Sequence, residues 1–486
     1  MTKLDFLPVL PEILLLGGAC AILLIDLFLS DARRAASFWL TQLTLLAGAW
    51  AIVVTLQLEP VRVLHGLVVG DLVSALLRLC ACVAVALMLF YSRSYFAARG
   101  LFRGETFVLT LFALLGMMVM IGAGSFLTLY LGLELLALSL YAMVAMHRSS
   151  VQASEAAMKY FVLGALASGM LLYGMSMVYG ATGSLDIATI ARTVTAERGA
   201  LGPGSGTLLV FGLVFVVSGI AFKLGVVPYH MWVPDVYQGA PTAVTLLIGT
   251  APKLAAFAFM LRLLAVALAG LEFDWQGMLM VLSLLSMVLG NVIAIAQTNI
   301  KRMLAYSTIA NMGFLLMGFI AANLTGYSAA MFYAVAYVLT SLASFGIVML
   351  LSREGFEAEQ LDDYKGLNRR SPWWAFMMLI VMFSLAGIPP TVGFYAKFAV
   401  LEAAVSAGFL WLAVAAVLAS VVGAFYYLRI VKLMYFDEPV GTEPIAARRD
   451  TRALLSANSL ALLLFGILPQ PLMGLCVVAL VQSGFL

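Results

Sequence analysis

Four ionisable residues stand where an apolar chain has no ordinary use for charge. Glu134 lies in GSFLTLYLGLELLALSLYAM and Lys253 in TLLIGTAPKLAAFAFML, each the one charge in its stretch. Lys223 lies deep in an apolar run that ends at a Pro/Gly-rich stretch, 228–241, and Lys397 follows the interruption Gly387-Ile388-Pro389-Pro390. A charge at mid-membrane costs at least about 2.5–3.5 kcal/mol on insertion scales. The structural explanation is a buried pair in which Glu134 and one lysine hold two helices together. It fails for the set, because one glutamate cannot neutralise three lysines, and at least two lysines then need water, a carbonyl or deprotonation. A lysine that can lose its proton, beside a carboxylate that tunes it, is an element of a proton relay. The breaks add to this. Proline removes backbone hydrogen bonds, and the freed carbonyls call for water or a polar side chain at mid-depth.

Weaker candidates surround these four. His230, just past the first break, is read either as a proton carrier between Lys223 and Lys253 or as a packed, capping histidine. Lys159 follows Glu155 by four residues, the spacing of a helix surface pair, and is kept as a possible relay member. Glu402, five residues beyond Lys397, is read as a counter-ion or a solvated helix end. Asp235 is read as a loop or cap residue, Asp26 as solvated, and Arg78 and Arg262 as packing or headgroup anchors.

The elements that must position these residues follow from composition. Of 486 residues 64% are hydrophobic and 10% charged, with mean hydropathy +1.06. A soluble domain carries roughly 25% charge, and a membrane helix needs about 20 apolar residues. This excludes a soluble enzyme, a secreted disulfide scaffold and a disordered chain. The apolar runs are continuous rather than alternating, which excludes a β-barrel. No Lys/Arg cluster suggests nucleic acid. Cys20, Cys80, Cys82 and Cys476 lie in apolar runs without a CxxC pair, and His65, His147 and His230 are scattered, so no metal or haem site is expected.

The fold class expected is an all-α polytopic membrane protein of about fourteen transmembrane helices. The first run, 11–30, is read as a retained helix rather than a signal peptide. The seventh and twelfth spans are broken, near 223–241 and 387–390. They lie five spans apart, an odd number, so the units containing them would be inverted, and paired broken helices in inverted repeats point to a transport site. The organisation expected is an N-terminal three-helix segment (1–104), a five-helix repeat (105–268, spans 4–8), a second repeat (269–435, spans 9–13) and a loop with a C-terminal kinked helix (436–486). Of 27 Lys and Arg, 17 fall in one set of alternate loops, from Arg33 and Arg34 to Arg448, Arg449 and Arg452. The other side holds Lys3, Arg62, Arg192 and Arg198, and Arg78, Lys159, Lys223, Lys253, Arg262 and Lys397 lie within spans. The positive-inside rule places both termini outside the cytoplasm.

The stretch FKLGVVPYHMWVPDVYQGAPTAV (222–244) resembles the signature of the proton-pumping membrane subunits of respiratory complex I and their Mrp-type cation/proton antiporter relatives. LGLELLALSLYAM (131–143) and SLAGIPPTVGFYAKF (384–398) fit the same family, and the resemblance covers essentially the whole chain. GTAPKLAAF around Lys253 and a lysine at 397, where some sister subunits have glutamate, narrow it to one branch, and fourteen helices favour a bacterial form. The resemblance implies Glu134 paired with Lys223, Lys253 as central relay and Lys397 as terminal lysine. It implies no cofactor in this chain, with NADH, FMN, iron–sulfur clusters and quinone in partner subunits. The neighbours implied are an M-type antiporter-like subunit and the small K- and J-type subunits, in the lipid bilayer of a bacterial inner (cytoplasmic) membrane, with both termini periplasmic. The alternative is an Mrp-type Na⁺/H⁺ antiporter subunit.

Overall fold

Long apolar segments with small residues at their contacts fold here as packed helices. The computed structural model describes residues 3–30, 33–196, 205–353, 355–439, 445 and 448–485; Arg198, counted above among the opposite-side charges, lies outside them. The N-terminal segment holds α1 (Leu10–Asp26), α2 (Ala35–Val54) and α3 (Leu72–Ala98). Next come α4 (Gly104–Ile121), α5 (Phe126–Val144), α6 (Val151–Thr182), a short α7 (Ile187–Ala196) and α8 (Ser205–Leu224). After a break lie α9 (Trp232–Gly239), α10 (Thr242–Ile248) and α11 (Ala251–Met260), which runs on as a π-helical stretch, Leu261–Ala267. Then follow α12 (Glu272–Ile295), α13 (Ile300–Ile320), α14 (Leu324–Leu351), a single turn α15 (Leu367–Arg370), α16 (Pro372–Ala386), α17 (Val392–Ser406), α18 (Leu410–Phe436), α19 (Arg449–Ile467) and α20 (Gln470–Gln482).

Among the described residues, twelve helices are long and apolar enough to cross a membrane, or thirteen if the bent pair α19–α20 is one span. The count of fourteen further requires α16 and α17, 15 residues each, to act as halves of one span. The expected kink in the last span is a 79° bend, at Leu468 and Pro469, where proline supplies no N–H to the preceding turn. One feature departs from an all-helical chain. A two-stranded antiparallel hairpin, Val61–Val63 with Val68–Gly70, sits in the loop before α3, where Leu64, His65 and Gly66 take positive φ to close the turn.

Burial locates the core. In an apolar 18-residue stretch of each span, 94% of the residues are buried for Thr242–Ala267 and Ile300–Ile320 and 83% for Leu324–Leu351, against 39% for α2 and α18. The centre of the molecule is therefore α10, α11, α13 and α14, the elements that carry or adjoin the lysines. Close approach is set by glycine. A Cβ on Gly116 of α4 would lie 2.7 Å from Gly132 O of α5, and one on Gly313 of α13 would lie 2.8 Å from Ser283 O of α12. In a bilayer, where apolar surface gives helices little reason to associate, such backbone proximity supplies the packing. Two buried ion pairs fasten the N-terminal segment. Arg262, at the start of the π-helical stretch, donates to Asp71 at 2.6 Å, and Arg78 pairs with Glu12 at 2.6 Å. Both arginines are packing residues, as the sequence suggests.

Candidate functional site

α8 stops because Gly225 adopts φ +79°, turning the chain, while Pro228 brings no N–H to continue it. The carbonyls left over are taken by Lys253. Its Nζ donates to Leu224 O at 2.9 Å and lies 3.5 Å from Lys223 O, with the residue 1% exposed. An ammonium at a helix C-terminus also meets the negative end of the helix dipole. Trp232 opens α9 beside it. The indole donates to Phe222 O at 3.0 Å, stacks on Tyr160 of α6 and lies 5.7 Å from Lys253 Nζ. Lys223 and Lys253 line one cavity of about 30 Å³ with Trp232 and Tyr160, space for water by the usual threshold of about 10–15 Å³.

Glu134, half-buried on α5, has an Oε1 that is buried without a hydrogen-bond partner. Among the described residues Glu134 and Lys223 do not close to the 4.0 Å of an ion pair. Lys223 and Lys253 thus share one cavity at the break, and α5 reaches its wall through Leu133, Leu136 and Ala137, with Glu134 in no contact salt bridge.

The second break repeats the arrangement with a different lysine. α16 ends at Gly387, φ +82°, and Lys397 on α17 donates to Leu385 O at 3.1 Å, Ala386 O at 3.0 Å and Ser420 Oγ of α18 at 3.0 Å. The sequence matches Lys223 with Lys397, the two lysines nearest the breaks. By what the ammonium does, Lys397 matches Lys253. Helical side chains point toward their own N-terminus. Lys223, on the last turn of α8, is therefore aimed away from the broken end, whereas Lys397, early on α17, is aimed back at the end of α16.

Around Lys397 lies a small cavity, about 20 Å³, with Asn311, Tyr333, Tyr337 and Ser384 on its wall. Tyr333 OH donates to Asn311 Oδ1 and Tyr337 OH to Thr308 Oγ1, both at 2.7 Å. Ser307 Oγ and Tyr427 OH share a hydrogen bond of 2.6 Å. Sequence reasoning passes over this hydroxyl and amide cluster because none of its members is charged. Its signal is present nonetheless: Ser307, Thr308 and Asn311 fall on one face of an apolar helix, as do Tyr333 and Tyr337.

The weaker candidates separate. Lys159 lies outside the buried set, 43% exposed at its side chain, paired with Glu155 at 2.8 Å and with Asp235 at 2.7 Å. Asp235 sits on α9 rather than in a loop and also receives Arg302 at 2.7 Å. These residues line an open cavity of about 170 Å³ at the other end of α9. His230 lies in the break with Nδ1 buried and without a partner, and it is absent from the wall of the Lys223–Lys253 cavity. Glu402 is exposed and makes no ion pair with Lys397. Lys301, counted above among loop charges, is on the first turn of α13 and 1% exposed. Among the described residues no group of three or more His, Cys, Asp or Glu is arranged to hold a metal ion.

Comparison with known proteins gives consistent findings. The family described as "NADH:quinone oxidoreductase/Mrp antiporter, TM" matches residues 123–423. The chain is 59% identical to NADH-quinone oxidoreductase subunit N of Thiobacillus denitrificans, over 99% of each chain. It is similar to a chain of respiratory complex I from Thermus thermophilus, with TM-score 0.82 and 32% identity over 97% of this chain and 100% of that one. A chain of the Mrp complex from Dietzia sp. shares the fold, with TM-score 0.84 and 23% identity over 99% of this chain and 97% of that one.

Proposed function

Because the chain belongs to the NADH:quinone oxidoreductase/Mrp antiporter family, on its subunit N branch, we propose that it moves protons across the membrane through Glu134, Lys223, Lys253 and Lys397, driven by quinone reduction in partner subunits. It is a multi-pass membrane subunit of a translocase. NADH, FMN, iron–sulfur clusters and quinone belong to the partners, and the neighbours are the M-type antiporter-like subunit and the small K- and J-type subunits. The membrane is the bacterial inner membrane, with both termini on the periplasmic side.

The observation that carries the reading is the cavity shared by Lys223 and Lys253, walled in part by α5, the helix of Glu134, which makes no contact ion pair with Lys223. A carboxylate stabilises the charged ammonium more when it approaches and less when it withdraws or is protonated. Withdrawal releases the Lys223 proton toward Lys253 through water in the shared cavity, and onward to Lys397. Each transfer is a bias between two states, requiring a differential interaction of a few kcal/mol. The two breaks, each an αL glycine followed by proline three residues on (Gly225 and Pro228, Gly387 and Pro390), support the reading of two inverted five-helix units, spans 4–8 and 9–13. His230 and Lys159 are carried as accessory members, Lys159 at the loop-side cavity.

The test is Lys253→Ala in the assembled complex, with proton pumping and NADH:quinone turnover measured together. Pumping per NADH oxidised should fall sharply while assembly persists; normal pumping rejects the relay. Sodium exchange independent of NADH would favour the Mrp-type alternative.

A further inference from the structure

α9 is eight residues long and is held at both ends. At one end Trp232 abuts Lys253 and bonds Phe222 O. At the other, the C-terminal carbonyls that a short helix cannot satisfy itself are taken by a buried lysine from another span. Lys301 Nζ donates to Gln238 O at 2.9 Å, to Ala240 O at 2.8 Å and to Glu359 Oε1 at 3.0 Å, which uses all three of its protons. Glu359 is itself fixed. Asn299 Nδ2 donates to its second oxygen at 3.0 Å, and residues 298–300 pair with 359–361 through Ile300 N to Glu359 O and Leu361 N to Thr298 O. Two residues earlier, Glu357 accepts from Arg99 at 2.5 Å and from Tyr95 OH at 2.8 Å, and Tyr95 OH receives the Thr242 N–H that opens α10. The segment after α14, which belongs to the second half of the chain, therefore grips the α9–α10 corner of the first half.

We propose that Lys301 and Glu359 form a latch by which the segment after α14 positions α9, and through Trp232 the surroundings of Lys253, making Lys301 a positioning residue for proton transfer. This rests on the relay reading above. Lys301 is ion-paired and bonded to helix-end carbonyls, the state that holds a helix in place; its contact with the site runs through the rigid length of α9. Displacement of reacting groups by about 1 Å can cost up to about a hundredfold in rate, so a loosened α9 would be felt at Lys253 without any residue there being changed.

The test compares Lys301→Met, Glu359→Gln and Lys253→Ala in the intact membrane complex, with two readouts: hydrogen exchange of the backbone over 232–241, and protons pumped per NADH oxidised. Losing charge-assisted hydrogen bonds should speed exchange in Lys301→Met by at least about tenfold, and the pumping ratio should fall at least about twofold with turnover retained. Glu359→Gln, which keeps an acceptor and the packing but removes the countercharge, should move both in the same direction by less. It carries the comparison if Lys301→Met does not assemble. Unchanged exchange in both latch variants overturns the latch, whatever pumping does. Faster exchange with an unchanged pumping ratio, while Lys253→Ala abolishes pumping, overturns the positioning role alone. If Lys253→Ala also pumps normally, the relay reading has failed, and the positioning role fails with it.

Discussion

At the scale of single residues, the telling contrast is between charges that are neutralised and charges that are not. Arg262 and Arg78 meet carboxylates at 2.6 Å, so each is a fastener with its countercharge in place. Glu134 has no such partner within ion-pair range, and one of its oxygens is buried without a hydrogen bond. Holding a carboxylate in that state is costly, which makes its charge the sensitive variable at the site. Glu134→Gln keeps the volume and removes the charge, whereas Glu134→Asp keeps the charge and shortens the reach. If the charge on Lys223 matters, Glu134→Gln should lower pumping per turnover by about tenfold, the effect of a differential interaction of about 1.4 kcal/mol. Glu134→Asp should retain part of it. Equal behaviour of the two variants in a coupled pumping and turnover assay would reduce Glu134 to a packing residue.

At the scale of elements, the broken helix is the unit that does the positioning. A continuous helix satisfies its own carbonyls and has nothing to offer a lysine; a helix that ends in mid-membrane presents several, and only an ammonium, a hydroxyl or water can take them. Lys253 and Lys397 both sit on such ends. The αL glycine makes the end possible. A Cβ on Gly387 would meet Lys397 Cδ at 2.8 Å in a backbone conformation that L side chains rarely adopt. Gly387→Ala should therefore cost about 1–2 kcal/mol in backbone strain and dislodge Lys397 as well, so that the assembled complex melts earlier and pumps less. A variant with unchanged thermal stability and unchanged pumping would show that the Gly387 turn has no bearing on Lys397. The breaks were legible as Gly/Pro interruptions of apolar runs. Which lysine caps which end was not, because that depends on the direction a side chain leaves its helix.

At the scale of the whole molecule, the elements divide by burial. α10, α11, α13 and α14 form an interior that carries or adjoins the lysine sites, while α2 and α18 are among the least buried spans. The 17 to 4 distribution of Lys and Arg between alternate loops makes a prediction about the molecule as a unit: alkaline phosphatase fused at the C-terminus should be active, and a fluorescent protein there, exported through the general secretory route, should be dark. The reverse pattern would overturn the orientation.

The sequence by itself determined that this chain lives in a bilayer, that charges stand inside its apolar runs, and that glycine and proline interrupt two of those runs. Those properties follow from composition and local periodicity, which each segment carries alone. It also contained the family, in the run from Phe222 to Val244. Only the tertiary structure decided that Lys253 rather than Lys223 is the counterpart of Lys397, that Lys159 belongs to a surface cluster with Asp235 and Arg302, and that Lys301 is buried on the end of α9. In each case the deciding quantity is the partner a charged side chain finds on a helix distant in sequence, and that partner is fixed by packing, to which no spacing along the chain gives access.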